Sequence, residues 1–226
     1  MKLTDRIRSS ISPAHRAIET TPLARSMLNG RVSPERYGCL LWRLHRLHAA
    51  LETAFERHTD LRFLYKGPIA RTGALERDLA RFPNHRRPAG LPATEMLARA
   101  MNDWSGATPA SLVGCLYVFE GSRMGSRILA PRLAAGFGLR RAAGNGLDYH
   151  LDGADRQPAL WRQFKRSLDG AAFSPCDQDR IVDGARRTMN GLLRLFEDIG
   201  AVGFDDDAVR RPREAPPGPG ETAHGR

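Results

Sequence analysis

The sequence predicts an all-α, single-domain protein, and three observations carry that prediction. Apolar residues recur at steps of three and four along most of residues 1–204. Two long periodic stretches each open with Ser-Pro, at Ser33-Pro34 and Ser174-Pro175, which places a capping hydroxyl before a proline in the first helical turn. No stretch alternates apolar and polar residues as a half-buried strand does, and Asn145-Gly146 sits in a glycine-rich loop rather than in a hairpin.

The elements follow in order. Ser12–Glu19 reads as helix, but Pro13 lacks an N–H and crowds the preceding turn, so a kink or a restart capped by Ser12 is expected. Tyr37, Leu40, Leu41, Leu44, Leu47, Leu51 and Phe55 form one stripe of a long helix over about 33–57. Leu75, Leu79 and Phe82 mark a short helix, and Met96, Leu97 and Met101 another. Ser111–Leu133 is helical in pattern despite its glycines. Leu160, Trp161, Phe164 and Leu168 mark a shorter helix. Ile181, Val182, Ala185, Met189, Leu192, Leu193, Phe196 and Ile199 give the last long stripe. Residues 205–226 run from Asp205-Asp206-Asp207 into prolines and glycines without apolar periodicity, and read as a disordered tail.

Composition narrows the function. Of 226 residues, 41% are hydrophobic and 27% charged, which fits a folded chain. The longest uncharged run, Trp104–Phe119, contains Pro109 and is too short for a membrane span, and the N-terminus has no apolar signal region. Cys39, Cys115 and Cys176 are far apart with no C-x-x-C, which points to a reducing compartment, the cytoplasm, and away from disulfides or zinc. The net charge is +10, and the tail, with four arginines against five carboxylates, contributes none of that excess. Only Lys2, Lys66 and Lys165 are lysines; the other basic residues are arginines, which favour planar carboxylate or phosphate groups. Nucleic acid, an acidic protein or a carboxylate-bearing small molecule could answer that charge, and the first lacks any binding motif or basic–aromatic interleaving to support it.

Two segments carry chemistry. His15 and Glu19 are four apart and share a helix face, so the carboxylate can orient the imidazole and leave its other nitrogen for a metal. A plain surface pair has the same spacing. Arg8, seven residues earlier, joins that face if the helix is continuous. In the second segment Gly114, Gly121 and Gly125 fall within about 40° of one another around a helix. Such a bare stripe admits either a flat, bulky group or a close helix–helix contact.

At these segments the sequence resembles the haem oxygenases, the biliverdin-forming family, and in particular a bacterial branch that includes partners of bacterial phytochromes. The resemblance runs through His15 to Glu19, Pro22-Leu23 to Gly30-Arg31-Val32-Ser33, Leu47-His48-Ala49-Ala50-Leu51-Glu52, Leu116 to Gly125 and Trp161-Arg162-Gln163-Phe164. It implies a helical bundle with haem between a proximal and a distal helix. His15 would be the axial iron ligand and Glu19 its orienting partner. Gly121 and Gly125 would bend the distal helix over the haem. Arg8 and Tyr117 match positions that contact the propionates, and Lys165 is a further candidate. Ser122 stands where mammalian members carry an acidic residue that organises distal water, and Ser126 where many members have another glycine.

The activity so implied is O2- and electron-dependent cleavage of haem to biliverdin, CO and Fe²⁺. Its partners would be an electron donor such as a ferredoxin or a reductase, with a bacterial phytochrome downstream. The alternative on the same fold is haem binding, storage or sensing without turnover. A di-iron oxidase would need carboxylates and histidines clustered at helical spacing, and His45 and His48 have no such cluster around them. His58, His85, His150 and His224 receive no role.

Overall fold

The computed structural model describes residues 1–82 and 92–202. The tail over 205–226, His85 and His224 lie outside them. Among the described residues there is helix and no strand. The helices are α1 (Leu3–Thr20), α2 (Pro22–Leu28), α3 (Pro34–Arg57), α4 (Thr72–Arg81), α5 (Pro92–Ala107), α6 (Ala110–Ser122), α7 (Ser126–Phe137), α8 (Asp148–Leu151), α9 (Gln157–Gly170) and α10 (Pro175–Ala201).

The Ser-Pro starts act as expected. Ser33 Oγ accepts from the Arg36 amide and Ser174 Oγ from the Asp177 amide, each satisfying a donor that a helix start leaves free. Helix α4 lacks a capping side chain of its own. Glu52, from α3, supplies the acceptors instead, taking the amides of Arg71 at 2.6 Å and Thr72 at 3.0 Å.

α6 is the central helix. Every residue from Ala110 to Glu120 is buried, as its apolar circumference requires. It crosses α10 at backbone contact: a Cβ on Gly114 would lie 2.0 Å from the Ile181 carbonyl oxygen, and one on Gly184 2.3 Å from that of Ser111. α1 packs along α10, and α3 along α4 and α5.

α1 corrects one expectation. It runs unbroken from Leu3 to Thr20 through Pro13, with no restart at Ser12. Ser12 Oγ instead accepts from the Arg16 guanidinium at 2.6 Å. An interior proline costs about 3 kcal/mol in a helix. Here Pro13 faces solvent, while Ile7, Ile11 and Ala14 bury the opposite face and hold the helix.

Candidate active site

Because α1 is continuous, Arg8, Ile11, Ser12 and His15 lie on one face, and they form one side of a cleft of about 420 Å³. Tyr117, Val118, Gly121 and Ser122 from the end of α6 form another side, and Trp161 and Lys165 from α9 close one end. A smaller cavity of about 140 Å³ adjoins it, sharing His15, Val118, Ser122 and Met189 and reaching inward to Leu44, Phe196 and His150.

The His15 side chain is 55% exposed, with Nδ1 3.5 Å from a Glu19 carboxylate oxygen. The imidazole is therefore open to a ligand and turned by one partner. Trp161 stacks obliquely on buried Tyr117 at 4.7 Å between ring centroids, and the Lys165 ammonium sits 5.5 Å over the indole. Burial pushes the Tyr117 phenol up and nearby Arg8 opposes that shift, so the hydroxyl stays a neutral donor. Arg8, Lys165 and Tyr117 thus gather donors and two cations on a cleft whose floor is apolar.

The glycine stripe divides by position. Gly114 serves the α6–α10 crossing. A Cβ on Gly121 would sit 3.2 Å from the Trp161 ring, whereas one on Gly125 would meet nothing within 4 Å. Gly125 ends a 3₁₀ turn, Arg123–Gly125, that interrupts the helix between α6 and α7, and it lines neither cavity.

The turn is held by a buried charge cluster. Glu120 accepts from the Tyr65 hydroxyl, from Arg123 at 3.2 Å and from the Gln157 amide at 3.2 Å. Arg123 also donates to Gln157 at 2.7 Å and to the Asp152 carbonyl at 2.5 Å. Each charge is paired, which an interior of this kind demands.

The expected site residues Arg8, His15, Tyr117, Gly121, Ser122 and Lys165 converge on one cleft, with Glu19 attached through His15. His45 and His48 diverge: His45 reaches Glu76 at 3.2 Å, while buried His48 lies 3.1 Å from the Tyr149 hydroxyl. Sequence reasoning missed Met189, Tyr149 and His150. Met189 belongs to a core stripe, and Tyr149 and His150 follow a loop without periodicity. Their one signal was the unusual Ser126, whose Oγ lies 3.0 Å from His150 Nδ1. Among the described residues no group of three or more His, Cys, Asp or Glu could hold a metal, and no helix is long and apolar enough to cross a membrane.

An open imidazole, an apolar cleft and a cationic end suit a flat, iron-bearing dicarboxylate such as haem. Comparison with known proteins agrees. The family model described as Heme oxygenase matches residues 1–198. A curated heme oxygenase of Guillardia theta is 21% identical over 204 residues, covering 87% of this chain and 86% of its own. The heme oxygenase structure from Leptospira interrogans superposes with a TM-score of 0.77 at 21% identity, covering 89% of this chain and all of that one. Heme oxygenase-1 of Synechocystis, solved in complex with heme, gives 0.77 at 19% identity over 87% of this chain and 91% of its own. The cleft, the fold and the span of the family match lead to one conclusion: the chain belongs to the haem oxygenase family.

Proposed function

We propose that this chain binds haem in the cleft between α1 and the α6–α7 break and opens it, with O2 and electrons, to biliverdin, CO and Fe²⁺. The observation that carries this reading is the convergence of open His15 with Arg8, Tyr117 and Lys165 around one apolar cleft. When bound, haem supplies both the redox iron and the carbon that is oxidised.

The protein's part is positioning. Nδ1 of His15 is turned to Glu19, which fixes the ring's tautomer and would leave Nε2 free to hold the iron. Arg8, Lys165 and the Tyr117 hydroxyl would hold the haem carboxylates and so decide which edge of the ring is presented for oxidation. Gly121 lets the α6 backbone approach the ligand face. Ser122 donates to the Phe119 carbonyl at 2.8 Å, so its hydroxyl proton is engaged and its oxygen is left to accept from ordered water.

We read residues 1–204 as one haem oxygenase-like helical domain, in a cytoplasmic setting. The arginine-rich surface suits an acidic electron donor such as a ferredoxin, and a bacterial phytochrome is the proposed consumer of biliverdin.

An aerobic single turnover of the hemin complex, with reductant and catalase present, tests the function. Loss of the haem band with appearance of biliverdin is expected. A complex that survives aerobic reduction would leave a haem-binding or sensing protein in its place.

A further inference from the structure

The inner cavity holds a second imidazole. His150, on the short α8, lines the same cavity as His15 and is 6% exposed. Its ring is held by stacking on Tyr37 at 6.3 Å and by the edge of Tyr149 at 5.3 Å. Ser126, the first residue of α7, contacts its Nδ1 at 3.0 Å.

The inventory of hydrogens allows two arrangements of this contact. Burial, aided by the Arg123 guanidinium, pushes the His150 pKa down to about 4, so the ring is neutral and carries one N–H. A proton on Nδ1 would be given to Ser126 and would leave the hydroxyl hydrogen for an occupant of the cavity, whereas a proton on Nε2 leaves Ser126 as the donor to Nδ1. The second arrangement is the one that gives the ring a donor of its own, with Ser126 donating to Nδ1 and the ring proton on Nε2. No hydrogen bond to Nε2 is seen among the described residues, and the ring lines the inner cavity.

We propose that His150, positioned by Ser126, donates a hydrogen bond from Nε2 to the small ligand or ordered water held in the inner cavity beside bound haem. This rests on the haem reading above and adds a protein donor to it. A neutral donor stabilises partial negative charge on such a ligand without bringing a competing full charge. Ser126 is then a positioning residue.

Carbon monoxide is the probe. The native protein is loaded with hemin, reduced and mixed with CO, and the C–O stretch is read by infrared spectroscopy. His150→Phe should move the stretch to higher wavenumber, and Ser126→Ala should move it the same way by less. His150→Gln, which keeps an N–H donor, should stay near the native position. All should bind hemin. An unchanged stretch in His150→Phe overturns the donor assignment and leaves the haem reading intact. If the phenyl ring prevents folding, a native stretch in Ser126→Ala overturns it equally. Native protein that takes up no hemin overturns the haem reading, and this inference with it.

Discussion

The two walls of the cleft are built in opposite ways. The α1 wall is a local construction: Arg8, Ile11 and His15 meet because a helix repeats every 3.6 residues, and His15 and Glu19 stand half in solvent. The inner wall depends on distant chain. Asp78 accepts the amides of Asp148 at 2.7 Å and Tyr149 at 2.9 Å, and so places α8; His48 meets Tyr149, and Ser126 meets His150. A residue that meets its ligand from solvent can be set by spacing alone. A wall that holds polar groups in the dry interior depends on pairing them, because a buried group left unpaired costs about 1–3 kcal/mol; here His48 Nδ1 and the Tyr37 hydroxyl go without a partner among the described residues. Function and stability should therefore separate on the first wall and be coupled on the second.

His15→Ala should sharpen that contrast most. Removing an orienting partner costs about 10–100-fold in metal affinity, and removing the proposed iron ligand itself should cost more than 100-fold. Because the side chain is exposed, the unfolding free energy should stay within about 0.5 kcal/mol of native. Hemin titration at the Soret band and urea unfolding of the same protein give both numbers. A large loss of stability would mean that α1 is not the independent wall described.

The inner wall should instead show itself in acid. Burial lowers the pKa of His48 to about 3 and of His150 to about 4, against about 6.5 for a free imidazole. As pH falls below about 6.5 the unfolded chain takes up protons that the folded chain refuses, so folding stability is lost down to those folded values. For His150 the loss by pH 4 is on the order of 3 kcal/mol. Asp78 acts in the opposite sense: burial raises it to about 6, so the folded chain holds its proton first and gains stability as pH falls from 6 towards 4. Tyr37 and Tyr149, both raised by burial, stay protonated throughout. His150→Phe keeps Asp78 and His48 but should fall less steeply than native between pH 7 and pH 4. Parallel unfolding curves would show that His150 is not held neutral by the fold.

Glu19→Gln probes the local wall more gently. Nδ1 keeps an acceptor but loses the charge, and hemin affinity should fall about 10-fold with stability unchanged. An equal loss of affinity and stability would contradict the separation of the two walls.

This contrast also explains what could be read from sequence. Ser33 and Ser174 announce their helices because a cap is a short-range device, and the stripe of α3 needs only its own spacing. That Arg8, His15 and Tyr117 share one cleft is legible through helical repeat and family resemblance. The place of His150 is not, because it depends on Ser126, 24 residues away, and on Asp78, which holds the adjacent Tyr149 amide from 71 residues away. The glycine stripe shows the limit most clearly: Gly114, Gly121 and Gly125 share a helical face in the sequence, yet one meets backbone, one meets Trp161 and one meets open space. Periodicity places a residue on a face but does not say what stands opposite.

Substitution along that stripe yields the smallest expected effects. Gly125 has φ of −71°, which any residue adopts, and open space beyond its Cα, so Gly125→Ala should change stability by no more than about 1 kcal/mol, in the stabilising direction, by restricting the unfolded chain. Gly121→Ala must move the Trp161 ring by a few tenths of an ångström, and through it the perch of Lys165. Its stability cost should stay near 1 kcal/mol, but hemin affinity should drop, because Trp161 lines the cleft and holds one of its two cations. Thermal unfolding with and without hemin separates the two effects. If Gly125→Ala weakens hemin binding as much as Gly121→Ala, the 3₁₀ turn itself, rather than the packing of Trp161, controls the approach of the α6 backbone to the ligand.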